Sequence, residues 1–309
     1  MSASHNPLIP SVAHFIFQER TIVWQHAFAV ASAAQAGMEQ VIVHHVGALP
    51  AGPQTDFLRS LERVVFRRLD KTSLLRGIEE KTGIQGLSQL YTLSSDQETR
   101  NCILSAALIY AYGGIFLTSE TLMIAPLLHE RTGSVFFGSR RVSVAERSLA
   151  LSDVFRAGFM KRLQNTSSEK RRPPSAFAPV YPLFGAIAGA PFLTQWLRAL
   201  VANHNCQAET VLRELLEKNT DPSVIVYPPD TMCSLSMRSA RQLFRRTTPA
   251  RLSTLVPAGA RMIHWKASPA TQSHQTEISP DHVMNHAYCQ PYSALVWKHA
   301  PAVKKIVYL

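Results

Sequence analysis

Residues 96–120 constrain this chain more than any other stretch. Ile103, Ala106, Ala107 and Tyr110 recur at helical spacing, Gly113-Gly114 follows where a positive φ is cheap, and Ile115-Phe116-Leu117 reads as a short buried strand. A helix over Asp96–Tyr112, capped by Ser94 or Ser95, therefore delivers the chain through a tight turn onto a strand. Residues at the carboxyl end of such a strand, here Thr118, Ser119 and Glu120, fall at the edge of an α/β sheet, where ligands bind.

The flanking segments give the same class. Val12–Phe17 and Gln40–Val46 read as strands around an Ala-rich helix from Thr21 to Ala36, with Gly37 as its stop, which is a βαβ opening. Asp56–Arg68 is a charged amphipathic piece ending in Val64-Val65-Phe66, and Leu74–Gly83 a further helix. A Gly133 turn leads to a strand over Ser134–Gly138, and helices follow over Phe192–Ala202 and Ala208–Lys218. The polar, proline-bounded stretch about 165–174 reads as a flexible loop, and Thr271–Gln275 is loop-like.

The Gly113-Gly114 block resembles the glycosyltransferases that carry an Asp-x-Asp sugar-binding motif, a family containing fungal initiating mannosyltransferases, bacterial capsule-type transferases and, distantly, the clostridial glucosylating toxins. Ile9-Pro10-Ser11-Val12-Ala13-His14-Phe15-Ile16-Phe17 resembles the family's opening strand, with Phe17 where a Trp usually stands. Gly185–Leu193 is similar to its small-residue strand and following helix, Ser223–Pro229 to its late strand, and Ile263-His264-Trp265 to its terminal His-Trp element. The likeness spans about residues 8–266. It implies a GT-A-like α/β fold, a nucleotide-diphospho-sugar transferase scaffold with a mixed, mostly parallel sheet. The whole of 1–309 is then a single domain, with 1–127 as its nucleotide-binding half and 128–309 as its acceptor-side half.

The same resemblance shows what this chain lacks. Anchored on Gly113-Gly114, the family's Asp falls on Cys102, its Arg on Ser105, and its two metal-site acids on Thr118 and Glu120. Asp96 and Arg100, one to two turns earlier, would replace the missing pair only through an inserted turn in the helix. The resemblance implies that Phe17 and the main chain near His14 hold the base. Beyond the Gly113-Gly114 turn, Thr118, Ser119 and Glu120 would take the ribose, phosphate or sugar, and His264 beside Trp265 the diphosphate. Glu120 and His264 are the catalytic and metal-binding candidates, for Mn²⁺ or Mg²⁺ bound weakly or not at all, since a hard cation can use one carboxylate with phosphate oxygens and waters. Glu120 also reads as an ordinary rim carboxylate, and His264 as a structural histidine beside a core Trp.

Composition limits the alternatives. With 309 residues and 46% hydrophobic content the chain buries a sizeable core. No apolar run nears the roughly 20 residues needed to span a bilayer, and Met1–Pro10 lacks the apolar centre of a secretion signal, so a cytoplasmic location is expected, or a chain whose anchor has been removed. Cys102, Cys206, Cys233 and Cys289 form no Cys-x-x-Cys pair and suggest neither a disulfide framework nor a zinc site. Cys102 reads as a buried side chain or as a free nucleophilic thiol. The net charge of +11 suits phosphate-bearing ligands, with one basic run at Arg238–Arg246, but no nucleic-acid module is recognisable. His282 and His286 share a helical face without a third metal ligand. Three functions remain: a divergent glycosyltransferase using a nucleotide sugar and a hydroxyl acceptor, a non-catalytic binding or regulatory protein on that scaffold, or a cleft reused for an isomerisation or cyclisation.

Overall fold

The main sheet grows outward from β1 (Val12–Phe17), the expected opening strand, in the computed structural model, which describes residues 8–18, 21–141, 177–247, 250–266 and 277–307 together with 268, 271 and 274. The expected loop about 165–174 lies outside the described residues, as does most of the Thr271–Gln275 tail. β1 is followed by α1 (Trp24–Gln35) and β2 (Gln40–His45). The helix begins three residues later than expected because Thr21-Ile22-Val23 is a β-branched run, which loses side-chain freedom in a helix. Gly37, at φ +92°, ends it as expected.

Residues 56–68 do not act as one piece. α2 (Pro53–Arg59) starts on a proline that pre-sets its first turn, and β3 (Val64–Arg68) pairs in parallel with β2. α3 (Lys71–Thr82) is capped by Asp70, which accepts from the Ser73 N–H, and stops at Gly83 in the left-handed region. α4 (Leu87–Leu93) was not foreseen; its signal is Gly86, also left-handed, immediately before it. α5 (Gln97–Tyr112) is capped by Asp96 rather than by Ser94 or Ser95. The Asp96 carboxylate accepts from the N–H groups of Glu98 and Thr99 and from the Thr99 hydroxyl, more acceptor capacity than a serine offers.

From α5 the chain turns through Gly113 into β4 (Gly114–Phe116), then β5 (Thr121–Met123) and β6 (Val135–Arg141). β7 (Phe177–Ala186), α6 (Pro191–Ala202), α7 (Ala208–Lys218), β8 (Val224–Val226) and β9 (Met232–Leu235) follow. The chain continues through α8 (Met237–Leu243), α9 (Ala250–Leu255), β10 (Met262–Trp265), α10 (Pro280–His286), α11 (Pro291–His299) and α12 (Val303–Val307). Of the basic run, only Arg238 and Arg241 are on α8; Arg245 and Arg246 lie beyond its end.

The seven-stranded sheet runs β3-β2-β1-β4-β7-β6-β8 and is mixed and mostly parallel, as expected, with β7 antiparallel to both neighbours. Strands from either side of residue 128 share it. A smaller sheet, β5-β10-β9, was not anticipated, because strands of three or four residues leave little periodicity to read. Alternate residues of the central strands feed two cores. Phe15, Val41 and Val43 pack on the side of α1 and the small sheet, whereas Phe116, Phe137 and Phe184 meet Ile103, Ala107 and Trp196 of α5 and α6.

The Gly113-Gly114 turn fixes the height of β4 against β1. A Cβ on Gly114 would lie 2.5 Å from the Val12 carbonyl oxygen and 2.9 Å from His14 Nε2, and one on Gly113 would lie 2.9 Å from the Ala188 nitrogen. Both residues have positive φ, +70° and +98°, so bulk and conformation exclude a side chain together. Gly114→Ala is expected to destabilise by roughly 2–5 kcal/mol, combining backbone strain with over-packing. Gly47→Ala, where a Cβ meets nothing within 4 Å, should cost only the conformational part, about 1–2 kcal/mol. Urea titration of the two variants measures the difference.

Candidate functional site

The carboxyl ends of β1 and β4 are adjacent, and the ladder continues one residue past β4, the Leu117 N–H donating to the His14 carbonyl at 3.0 Å. Thr118, Ser119 and Glu120 then turn away from the sheet, each half-buried, before β5. The turn is held by groups far away in sequence. Gln25 of α1 donates through Nε2 to the Ser119 carbonyl at 3.4 Å, and the Trp265 N–H of β10 donates to the Glu120 carbonyl at 3.1 Å. Thr118 Oγ1 lies 3.3 Å from Thr121 Oγ1, which lies 3.3 Å from His264 Nδ1. The pairing of β5 with β10 therefore brings the 118–121 turn and the His264-Trp265 element to one place.

The candidate side chains are in unlike environments. Glu120 is half-buried, and its charge reaches Tyr181 on β7, where burial first and the Glu98, Glu120 and Asp96 charges after it push the phenol pKa upward. His264 is buried, and desolvation lowers its pKa to about 4 despite the hydrogen bond its ring donates to the Glu120 carbonyl, so its imidazole is neutral at physiological pH. Trp265 lies wholly inside the core, edge-on to Phe244 and Tyr292. Phe17 is buried and stacks on His26 with ring centroids 5.1 Å apart.

His14 offers its main chain to the β1–β4 ladder while its ring is enclosed. Nδ1 lies 2.9 Å from Nε2 of His44, the rings stack at 5.2 Å, and Tyr112 stacks on both. Burial lowers the two pKa values to about 4 and about 3, with Arg67 adding to each shift. No sequence signal marked this pair, because the residues are thirty positions apart and meet only when β1 and β2 align.

The positions where the resemblance places an acid and an arginine point into protein. Cys102 is fully buried, with its thiol pushed well above the usual range by desolvation, so it is no thiolate nucleophile. Ser105 is equally buried and donates to the Cys102 carbonyl at 3.1 Å. Asp96 and Arg100 do not move into those places: α5 is continuous, Asp96 caps it, and Arg100 donates to the Gln97 side chain. The polar groups at this edge instead include Asn101, which accepts from Gln18 at 2.9 Å and from Gln97 at 2.8 Å, and Lys266, paired with Glu98 at 2.9 Å. Sequence reading passed over both; Lys266 directly follows the His-Trp element and was the available signal.

Among the described residues no three His, Cys, Asp or Glu side chains come together as a metal site. His264 Nδ1 is engaged by Thr121, and Glu98 by Lys266. The described residues thus do not make a cluster that would hold Mn²⁺ or Mg²⁺ through protein ligands alone. His282 and His286 stack, but His286 Nδ1 meets the His282 carbonyl, its Nε2 meets Arg246, and His282 Nε2 meets Gln290, so the pair has a structural role. Among the described residues no helix is long and apolar enough to cross a membrane.

No protein-family model matches the chain, and no curated protein sequence matches it. Solved structures similar to it include PaToxG glycosyltransferase, at 11% identity and a TM-score of 0.44, covering 69% of this chain and 70% of that one. Mouse xyloside xylosyltransferase 1, in its apo form, is similar at 8% identity and a TM-score of 0.43 over 84% of this chain and 98% of that one. The apo WbbM bifunctional glycosyltransferase gives 10% identity and a TM-score of 0.43 over 97% of this chain, which spans about half, 53%, of that chain.

The buried histidines set a pH dependence with a definite sign. His14, His26, His44 and His264 have folded-state pKa values of about 4, about 4, about 3 and about 4, below the unfolded value of 6.5. Above pH 6.5 both states are neutral at these sites. As pH falls from there towards 4 the unfolded state takes up protons that the folded state refuses, so stability drops, by up to about 1.4 kcal/mol per pH unit per histidine. Thermal midpoints measured between pH 8 and pH 5 should fall steeply below 6.5, and a His44→Asn variant should show a shallower fall.

Proposed function

We propose that this protein is a divergent GT-A-like glycosyltransferase that moves a sugar from a nucleotide-sugar donor to a hydroxyl acceptor, with little or no dependence on a divalent ion. The observation that carries this reading is the convergence, at the carboxyl edge of the central parallel strands, of the 118–121 turn and His264, joined by the Thr121–His264 contact across 143 residues. That edge is where α/β sheets bind ligands. The residue pattern around Gly113-Gly114 supplies the transferase class.

In this reading Phe17 and the main chain at His14 hold the base, and Thr118 and Ser119 hold the ribose, phosphate or sugar. Gly113 and Gly114 keep the turn close to β1, and Trp265 backs His264 from the core. Transfer breaks the bond from the anomeric carbon to the diphosphate oxygen, which leaves with the electron pair, while the acceptor oxygen bonds to that carbon and its proton passes to the Glu120 carboxylate. His264, neutral at working pH, hydrogen-bonds the diphosphate without adding charge; Lys266 is the nearby cation.

A second reading, a binding or regulatory protein on the same scaffold, is favoured by one observation: Cys102 and Ser105 are sealed in the core where the resembled enzymes have charged groups. Thermal-shift and turnover measurements with a panel of nucleotide diphosphates and nucleotide sugars, with and without Mn²⁺ or Mg²⁺, decide between them. One nucleotide sugar should stabilise the protein, by about 2.7 kcal/mol at a hundred times its Kd, and Glu120→Ala should lower kcat about 100-fold or more. Stabilisation without turnover assigns the second reading, and no stabilisation by any nucleotide or nucleotide sugar sinks the first.

A further inference from the structure

Beside this edge lies an open cavity of about 830 Å³, walled by the end of α4, the first turn of α5 and the 203–207 segment between α6 and α7. Its size is in the range of small-molecule sites. Lys266 reaches its wall, and Lys266 directly follows Trp265, whose N–H holds the Glu120 carbonyl, so cavity and crevice share one boundary.

The charges lining the cavity are matched within the protein. Asp96 is engaged by the α5 N–H groups and the Thr99 hydroxyl, Glu98 pairs with Lys266 at 2.9 Å, and Glu209 pairs with Arg140 at 3.3 Å. Besides the His204 imidazole, what they leave lining the cavity is uncharged: Ser94 and Ser95 with their hydroxyls, Asn205 and Gln207 with their amides, and the Leu93 side chain, which is 71% exposed. A charged ligand would compete with internal ion pairs for its counter-charge, and a purely apolar one would strand the amides and hydroxyls. A sugar presents hydroxyls to the polar groups and a C–H face to leucine.

We propose that this cavity binds a neutral, hydroxyl-rich carbohydrate. Its role as acceptor for the adjacent crevice rests on the transferase reading; the binding itself does not.

Cys206 lines the cavity and is exposed, whereas Cys102 and Cys233 are buried and Cys289 is half-buried elsewhere, so alkylation of Cys206 reports occupancy. The full chain is treated with iodoacetamide alone and with maltotriose, xylotriose or triacetylchitotriose, and each cysteine is followed by peptide mass spectrometry. At least one of these saccharides should slow modification of Cys206, about fivefold at four times its Kd, while leaving Cys289 unchanged. Ser94→Trp and Asn205→Trp, both on connecting segments, should each abolish the protection by filling the cavity; if one fails to fold, the other serves. Failure of all three saccharides to protect, equal or better protection by trigalacturonate or triarginine, or protection that persists in the tryptophan variants overturns the proposal. Saccharide protection in a protein that binds no nucleotide sugar removes the transferase reading and leaves the cavity assignment intact, and nucleotide-sugar binding without saccharide protection does the reverse.

Discussion

The close approach of Gly114 to β1 is the contact on which the rest of the architecture hangs. With no side chain at that position, the chain leaving α5 comes within van der Waals reach of the Val12 carbonyl and the His14 ring, and β4 is inserted beside β1 in the middle of the sheet. β4 then offers its other edge to β7, whose antiparallel entry carries β6 and β8 into the same sheet. A Cβ there would push β4 outward and with it every strand on that side, since packed interiors yield little. The same turn sets the level at which residues 118–120 leave the sheet.

The polar groups divide by distance from water. His14, His44 and His264 are drawn into the interior and held neutral; the first two stack on each other with their ring nitrogens in contact, and His264 meets the Thr121 hydroxyl. Glu98, Glu120, Asn101 and Lys266 stay at the carboxyl edge, where partial exposure keeps charge affordable. The resulting edge holds a short relay, Thr118 to Thr121 to His264, beside a turn whose carbonyls accept from the Gln25 side chain of α1 and the Trp265 N–H of β10. Its supports come from two elements far apart in sequence.

Much of this was legible because local rules bind tightly at particular residues. The Gly113-Gly114 break, the β1-α1-β2 opening and the helices beginning at Pro191 and Ala208 follow from periodicity and punctuation. Other features were not, for a physical reason in each case. α4 and the β5-β10-β9 sheet are too short to show a period, and the Asp96 cap outcompetes Ser94 and Ser95 only because its carboxylate reaches two N–H groups and a hydroxyl at once. The His14–His44 pair and the Lys266–Glu98 bridge join residues that no window of sequence contains.

By itself, then, the sequence determined the class of fold, the glycine turn and the address of the candidate edge, because these depend on φ, hydrophobic spacing and chain order, which are local properties. Tertiary structure alone decided which polar residues face that edge. Cys102 and Ser105 are on the same helix as Glu98 and Asn101, yet the packing of α5 against its neighbours turns the first two into the core and leaves the other two at the rim. His264 is likewise a plausible cation in sequence and a neutral imidazole in the fold, since burial costs the charged form more than its neighbours return.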